Sequence, residues 1–501
     1  MASSQTETAP SGATTEQNPG RWTALAVLLS AVFMNMLDVT IVNVALPSIQ
    51  EGLNASNSAI EWIVAGYVLM FALALLPFGR LGDIVGKKSM FIAGVACFTL
   101  GSALCGLSHT TLMLVLARLF QGFSAAMMTP QVLALTTVMF APHERARAFS
   151  FFGMMAGIAT VSGPIIGGFL VEHSLFGLGW RAIFLINLPI GLFAIIAGAK
   201  LVPSTPRRAD TRNDYLGILL IALAMFMLIF PLVEGRTFGW PLWCFAMMAA
   251  AFPVLLAFVL WERRQNARKK PQLLSFQLMK NRNFMVGGSM ALFFFSTLPG
   301  FFLCLAIFLQ VGFGFSALKS GMTTVPFSLG VFTASLISGR IGHTYLKPRV
   351  IFGIALLGVG MFWLRLYVLG VGDEVSRWAL FAPLIVSGLG LGIAIASIFQ
   401  LVLSGVPHEE AGSASGALQA VQQLGGAFGI AIVSGIFFAR LGIALQAGAD
   451  NHPAYVSAFA MALIYNLAAY VGVIALALLL PADRKPGAAA PVAEENAPHI
   501  A

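Results

Sequence analysis

Charged side chains are scarce in this chain of 501 residues: Asp, Glu, Lys and Arg make up 10%, whereas 58% of the residues are hydrophobic. Soluble globular domains carry about 25% charged residues, so the composition excludes an ordinary soluble domain and predicts a polytopic membrane protein. The net charge of +9 would suggest a nucleic-acid partner in a soluble protein. In a membrane protein, it must first be compared with the topology.

Cysteine and histidine are also rare. The seven histidines include no pair at metal-binding spacing, and the chain has neither a Ser/His/Asp arrangement nor a phosphate-binding glycine loop before a lysine. We therefore expect no enzyme, no metal site and no cofactor. The cysteines all fall within apolar stretches, at spacings that do not indicate a disulfide framework; they are Cys97, Cys105, Cys244 and Cys304.

Long apolar stretches dominate the rest of the chain. A membrane span needs about 20 mainly apolar residues, and fourteen stretches meet this requirement in a pattern of six, two and six. We therefore predict an all-α protein with fourteen spans. The stretches lie near 22–47, 59–78, 89–107, 111–130, 147–170, 182–201, 215–233, 241–261, 284–310, 319–342, 350–370, 377–402, 411–439 and 454–480.

Basic residues orient these spans. Lys and Arg collect at alternate connections, and basic loops mark the cytoplasmic side. An even number of spans then places both termini in the cytoplasm, so the positive charge requires no nucleic acid. The predicted domains are a disordered tail (1–20), a six-helix bundle (21–203), two inserted helices with basic linkers (204–270), a second six-helix bundle (271–482) and a cytoplasmic tail (483–501).

Two loop sequences occur twice. GRLGDIVGKK (Gly79–Lys88) recurs as GRIGHTYLKP (Gly339–Pro348), and APHERARA (Ala141–Ala148) recurs as VPHEEAGS (Val406–Ser413). Both copies fall on the cytoplasmic side, which predicts two halves repeated in parallel orientation. With this loop and this doubling, the chain resembles the major facilitator superfamily, and its two inserted spans resemble the fourteen-span drug:proton antiporter branch. The resemblance implies the major facilitator fold.

One carboxylate, Asp38, lies in the otherwise apolar first span. Such a group costs at least about 2.5–3.5 kcal/mol, which predicts a proton, ion or substrate site. Counting from the span ends places Arg118 of the fourth span at the same depth, roughly 10–14 Å below the outer surface, so the two can pair. The motifs LDVTIVNVALP and LVLARLFQGFSAA, which contain them, resemble family motifs that imply proton coupling. The alternative is a fixed structural ion pair.

The GRLGDIVGKK loop resembles the superfamily's most general motif, which implies a cytoplasmic conformational latch. Three roles are expected in it: glycines that allow a tight turn, an acid that accepts from helix N-terminal amides, and lysines at the cytoplasmic interface. These are Gly79, Gly82 and Gly86, then Asp83, then Lys87 and Lys88. The second copy has His343 where Asp83 stands, which predicts an asymmetric latch.

A glycine series in the fifth span ends in GPIIGG and resembles the motif associated with antiport. Small residues at four-residue spacing let helices pack closely, so generic packing glycines are the alternative. The proline is expected to bend the helix. The motif residues are Gly157, Gly163, Pro164, Gly167 and Gly168.

The substrate cavity is expected to be apolar and adaptable, with a few amides that fix polar groups. Glu61, at the outer start of the second span, either attracts cations at an outer entrance or completes a capping box with Ser58. The predicted cavity residues are Met34, Asn35, Gln121, Gln131, Phe308, Gln310, Gln400 and Gln419.

The resemblance implies a proton-coupled antiporter in the bacterial cytoplasmic (inner) membrane that exports hydrophobic or amphipathic drugs by alternating access, driven by the proton motive force. One alternative is a dedicated proton-driven exporter of an endogenous metabolite, siderophore or lipid. Others are a symporter, which the fifth-span motif argues against, and a receptor or scaffold, which the short connections do not favour. The expected partners are substrates, protons and lipids, and a periplasmic adaptor protein is left open.

Overall fold

The structure, a computed structural model, describes residues 20–173, 177–205, 214–235, 238–341, 345–404, 406–407 and 410–480. These residues form helices and contain no β-strand. The N-terminal half comprises α1 (Arg21–Leu53), α2 (Asn57–Val85), α3 (Lys87–Gly106), α4 (Thr111–Met139), α5 (Pro142–His173), α6 (Ala182–Leu185) and α7 (Asn187–Leu201).

Two helices follow as an inserted pair, α8 (Tyr215–Glu234) and α9 (Leu242–Ala267). Asp214 begins α8, because its side chain accepts the backbone N–H of Gly217 at 2.9 Å. The pair packs through α8 against α2 and α17, whereas much of α9 is exposed on the outside of the bundle. These two helices therefore lie against the place where the two halves meet.

The C-terminal half begins with the short α10 (Phe276–Lys280). Its remaining helices are α11 (Arg282–Phe295), α12 (Leu298–Ile307), α13 (Ala317–Thr323), α14 (Val325–Ile341), α15 (Leu346–Leu369), α16 (Arg377–Leu403), α17 (Ala411–Gln446) and α18 (Asn451–Leu479). The second span of each half packs against the fifth span of the other, as α2 on α17 and α14 on α5. This reciprocal contact matches the parallel repeat of the loop sequences.

Twelve segments of the described residues are long and apolar enough to cross a membrane. Two shorter apolar segments, Arg147–Ala159 and Val325–Ser338, lie in α5 and α14. These two helices occupy the positions of the predicted fifth and tenth spans, and α5 has 32 residues. The all-helical membrane architecture is thus confirmed.

Several predicted spans differ in detail from the helices. The first continues past Pro47 to Leu53, so Pro47 is not its outer boundary. The span predicted at 284–310 is broken at Ser296 and Thr297, because Pro299 has no N–H to donate to the carbonyl of Phe295, four residues earlier. The span predicted at 182–201 is interrupted at Ile186, which leaves Asn187 at the first turn of α7.

Candidate functional site

Asp38 and Arg118 form an ion pair inside the N-terminal half. Asp38 lies on α1 and Arg118 on α4, both side chains are buried, and Arg118 Nη1 lies 2.5 Å from Asp38 Oδ2. The two residues that depth counting brought together therefore do pair. Removing one partner of a buried pair typically costs 3–5 kcal/mol, because the other charge remains uncompensated.

Two amides complete the surroundings of the carboxylate. Gln121 Nε2 and Asn187 Nδ2 donate to Asp38 Oδ1 at 2.9 and 3.1 Å, and both also donate to Ser102 Oγ. Arg118 Nη1 donates in turn to Gln121 Oε1 at 2.7 Å. Four helices, α1, α3, α4 and α7, thus converge on one carboxylate that is fully hydrogen-bonded in its ionised form.

The guanidinium of Arg118 also contacts α2, within the same half. Its Nε donates to the carbonyl oxygen of Ile63 at 3.0 Å, and its Cζ lies 4.2 Å from the ring centroid of Tyr67. A cation over an aromatic face is attracted by the ring quadrupole, by up to about 2 kcal/mol when water is excluded. Tyr67 is therefore the aromatic neighbour that any movement of Arg118 must displace or follow.

Tyr67 also lines a cavity of about 310 Å³ between the two halves. The wall is formed mainly by apolar and aromatic side chains, and its polar groups include three glutamines from α17. The lining residues are Val32, Asn35, Met36, Val39, Thr40, Tyr67, Val68, Phe71, Thr129, Phe152, Ala159, Ile395, Phe399, Gln419, Gln422 and Gln423.

The cavity has unpaired polar atoms from both halves, among them the buried Tyr67 Oη. Asn35 Nδ2 and Gln422 Oε1 are buried, line the cavity and have no hydrogen-bond partner among the described residues. A buried polar atom without a partner costs about 1–3 kcal/mol, so a donor and an acceptor are available here for a bound molecule or for water. The cavity thus combines an apolar wall with two polar anchors on opposite halves.

The predicted cavity residues divide between this wall and other places. Asn35 and Gln419 line the cavity, whereas Gln121 belongs to the Asp38 network. Five others lie away from the cavity, because which face of a helix they occupy was not visible in the sequence. Met34 is in the core of the N-terminal half, Gln131 donates to the carbonyl of Phe78, Phe308 stacks on Phe459, Gln310 lies in a π-helical turn after α12, and Gln400 is buried in α16.

Asp83 joins one end of the first half to the second half. Its carboxylate accepts the backbone N–H groups of Gly412 and Ser413 at 3.0 and 2.9 Å, and the Ser413 hydroxyl at 3.0 Å. Lys87 Nζ pairs with it at 2.8 Å. Asp83 of one half thus caps the positive N-terminus of α17 in the other half.

The glycines of this loop have different roles from those predicted. Only Gly86, with φ of 98°, lies in the turn between α2 and α3. Gly79 and Gly82 lie inside α2, where a Cβ on Gly79 would be 2.5 Å from the Gly412 carbonyl oxygen, and one on Gly82 would overlap Gln131. Lys87 is buried against Asp83 rather than interfacial, and Lys88 Nζ donates to the carbonyl of Ala199 at 2.8 Å.

The motif glycines of α5 differ in their surroundings, and two of them lie close to other helices. A Cβ on Gly163 would lie 2.5 Å from the Thr40 Cβ of α1, and one on Gly157 would lie 3.2 Å from the Ser328 carbonyl oxygen of α14. Gly167 is buried, whereas Gly168 has open space around it. Gly163 therefore sets the close packing of α1 on α5. The side chain of Pro164 lies outside the described part of the chain.

Two further predictions concern residues outside the described part of the chain. The side chain of Glu61 and all of His343 lie outside the described residues. The capping box that would pair Glu61 with Ser58 is wrong, because the N-cap of α2 lies two residues earlier. Ser56 is the N-cap and accepts the backbone N–H of Ala59 at 3.3 Å.

Sequence reasoning missed Asn187, Ser102 and Tyr67. Asn187 follows a helix break and precedes Pro189, which is a signal that the sequence did contain. Ser102 and Tyr67 look like ordinary small and aromatic residues of apolar spans. Only the packing of α2, α3 and α4 around Arg118 shows their place in the site.

Comparison with known proteins identifies close relatives. The profile of the Major Facilitator Superfamily matches residues 28–217 and 209–430. The chain is 41% identical over 435 residues, 86% of its length and 75% of the relative's, to the "Probable actinorhodin transporter" of Streptomyces coelicolor. It is 33% identical over 429 residues, 84% of its length and 77% of the relative's, to the "Tetracenomycin C resistance and export protein" of Streptomyces glaucescens.

A solved structure shares the fold at low sequence identity. The crystal structure of the human organic anion transporter MFSD10 (TETRAN) superposes with a TM-score of 0.65 over 91% of this chain and all of the other, at 15% identity. At that identity the likeness shows the arrangement of helices alone.

Proposed function

Because this chain belongs to the major facilitator superfamily, we propose that it is a proton-coupled antiporter that exports hydrophobic or amphipathic drugs by alternating access. Two relatives carry names that specify transport or export of actinorhodin and tetracenomycin C, which supports an antibiotic-export role. The observation that carries the proposal is the contact through Tyr67, which lines the cavity on one side and lies under Arg118 on the other.

The coupling step is the protonation of Asp38. As a carboxylate, Asp38 holds Arg118 and both amides, whereas protonation removes the charge that keeps Arg118 in place. A position of Arg118 closer to Tyr67 or to the cavity then becomes more favourable. This movement changes the wall that a substrate contacts. A proton on Asp38 and a substrate in the cavity thereby favour different arrangements, as exchange requires.

The latch supplies the alternating element. With Asp83 bonded to the start of α17, the cytoplasmic ends of the halves are held together, and loss of these bonds opens that side. We further propose fourteen spans in the cytoplasmic membrane of a bacterium, with α5 and α14 counted among them and both termini cytoplasmic. The helix α5 would be about 48 Å long at 1.5 Å per residue, more than the roughly 30 Å hydrocarbon core.

The proton motive force, without a cofactor, drives this exchange. An adaptor protein remains open as a partner. A second candidate is a dedicated exporter of one endogenous product, which is favoured because each of the two relatives is named for a single compound. Transport of many unrelated compounds by the purified chain would exclude that second candidate.

The test uses inside-out vesicles with an acidic lumen and a panel of lipophilic cations, neutral drugs and fatty acids. The wild type should accumulate substrate, whereas Asp38→Asn should lose gradient-driven accumulation but retain exchange of substrate across the membrane at equal pH. Glu144→Gln, which removes a partly exposed ion pair with Arg21, is the matched control and should transport normally. Undiminished gradient-driven accumulation by Asp38→Asn would overturn the coupling role.

A further inference from the structure

The inserted pair carries a buried carboxylate that export through Asp38 does not use. Glu262 of α9 is fully buried, and its Oε1 accepts the backbone N–H groups of Leu273 and Leu274 at 3.0 and 3.4 Å. Its Oε2 is also buried and has no hydrogen-bond partner among the described residues. An ionised oxygen in this position would be costly, whereas a proton on it removes the charge.

A second carboxylate lies beside it. Asp214 Oδ2 and Glu262 Oε1 lie 2.5 and 3.2 Å from the point that a Cβ on Gly217 would occupy. Asp214 is well supplied with donors, because its Oδ1 accepts the Gly217 N–H and both of its oxygens accept Trp261 Nε1, at 2.9 and 3.0 Å. Two carboxylates in one buried site do not readily both ionise, so the proton belongs on Glu262.

The other charged groups around Glu262 do not remove its preference for the protonated form. Among the described residues, Asp214 at the start of α8 disfavours a charge on Glu262, and Arg80 on α2 favours a charge there by less. Arg263 and Arg264, which follow in α9, are exposed, so water screens their charge. Burial and the unpartnered Oε2 therefore favour the protonated form of Glu262.

A cavity of about 450 Å³ lies against the linker after α9, and its wall includes both halves. Arg80, which lies in this wall, is also a charged group that acts on Glu262. The residues that line it are Arg80, Asn266, Lys269, Lys270, Pro271, Gln272, Ser275, Gln277, Glu410 and Ser413.

We propose that Glu262, with Asp214 beside it, binds a proton from the cytoplasm, and that this proton stabilises the closed cytoplasmic gate. The shell around Glu262 spans the parts that must separate when the gate opens. Arg80 is on α2, one helical turn from Asp83, whereas Leu273 and Leu274 lead into α10 of the second half. Opening would expose Glu262 to water and release its proton.

The sign of the pH effect follows from linkage. A proton that binds more tightly when the gate is closed must also stabilise the closed gate. This stabilisation is present at acidic cytoplasmic pH and is lost as the pH rises. The site senses the cytoplasm, which distinguishes it from Asp38, and it would operate whatever drives transport.

Infrared spectroscopy of the full chain in lipid nanodiscs tests proton binding directly. A protonated carboxyl group has a C=O stretch that a carboxylate lacks. We expect such a band at neutral pH in the wild type and in Asp38→Asn, and its loss in Glu262→Gln. An unchanged band in Glu262→Gln would overturn the proposal, as would the absence of any protonated carboxyl band in the wild type.

Hydrogen exchange at the latch tests the effect on the gate. The amides of Gly412 and Ser413 donate to Asp83 and exchange when the gate opens. After correction for the intrinsic pH dependence, their exchange should rise at least about fivefold from acidic to alkaline pH in the wild type, the lower end of usual coupling between linked sites. Glu262→Gln, which resembles the protonated form, should remove this rise. Asp214→Asn should change the pH at which half of the rise has occurred. Equal pH dependence in Glu262→Gln and wild type would contradict the proposal without affecting the export test.

Discussion

The latch at Asp83 makes a quantitative prediction about the gate. The change is Asp83→Asn, which keeps the size of the side chain but removes the charge that pairs with buried Lys87 and accepts three donors at the start of α17. An uncompensated buried charge costs about 3–5 kcal/mol. At about 1.4 kcal/mol per tenfold, the closed state should lose roughly a hundredfold to several thousandfold in population relative to the open state.

The gate can be measured by the distance between two nitroxide labels in a background without native cysteines. Ser89, near the start of α3, and Lys280, at the end of α10, are exposed on the two halves and suit this purpose. The wild type should show mainly the short distance, and Asp83→Asn mainly the long one. Glu144→Gln serves as the control, because its pair with Arg21 joins α5 to α1 within the first half and does not connect the two halves.

A double variant tests whether the unbalanced charge, rather than a general loss of folding, opens the gate. Lys87→Met combined with Asp83→Asn removes both charges, so the closed state should recover in part and the two effects should not add. Identical distance distributions in the wild type and Asp83→Asn would refute the latch reasoning. Additive effects of Asp83→Asn and Lys87→Met would refute the pairing.

Three further variants test the site and its packing. Gly163→Ala should lower the thermal stability of the purified chain by about 1–3 kcal/mol, because its Cβ would overlap Thr40, whereas Gly168→Ala, with open space around it, should not; equal melting temperatures would contradict this. Tyr67→Leu should weaken gradient-driven transport and Tyr67→Phe should retain it, because only the ring faces Arg118; the same loss in both would show that the hydroxyl matters. Gln422→Leu should reduce affinity for a substrate with a donor group about 2- to 12-fold, the equivalent of about 0.5–1.5 kcal/mol. Gln400→Leu, which removes a buried glutamine outside the cavity, should not, and equal affinities in the two variants would argue against Gln422 as an anchor.

The succession of helices and the pairing of Asp38 with Arg118 could be predicted from the sequence, because both depend on hydropathy and on depth along straight helices. Hydropathy alone did not predict the breaks at Ile186 and Ser296, because an apolar stretch looks continuous, although Pro189 and Pro299 follow them three residues later. The first of these breaks precedes Asn187, so the amide network around the carboxylate was missed with it.

The faces of the helices were harder to predict than their order. Gln400 and Gln422 are both amides in apolar helices, but only Gln422 lines the cavity, since that depends on how α16 and α17 rotate in the bundle. Glu262 was overlooked because it precedes the exposed arginines of a basic linker. Its burial results from the linker folding back so that Leu273 and Leu274 donate to it.

Proton release on substrate binding tests the central claim most directly. Substrate found in the transport assay is added to the purified chain in weakly buffered solution without a gradient, and the pH is recorded while binding is followed separately. The account predicts that the wild type releases protons as it binds substrate, and that Asp38→Asn binds substrate but releases none. Undiminished proton release by Asp38→Asn would contradict the assignment of Asp38 as the group that exchanges a proton for substrate.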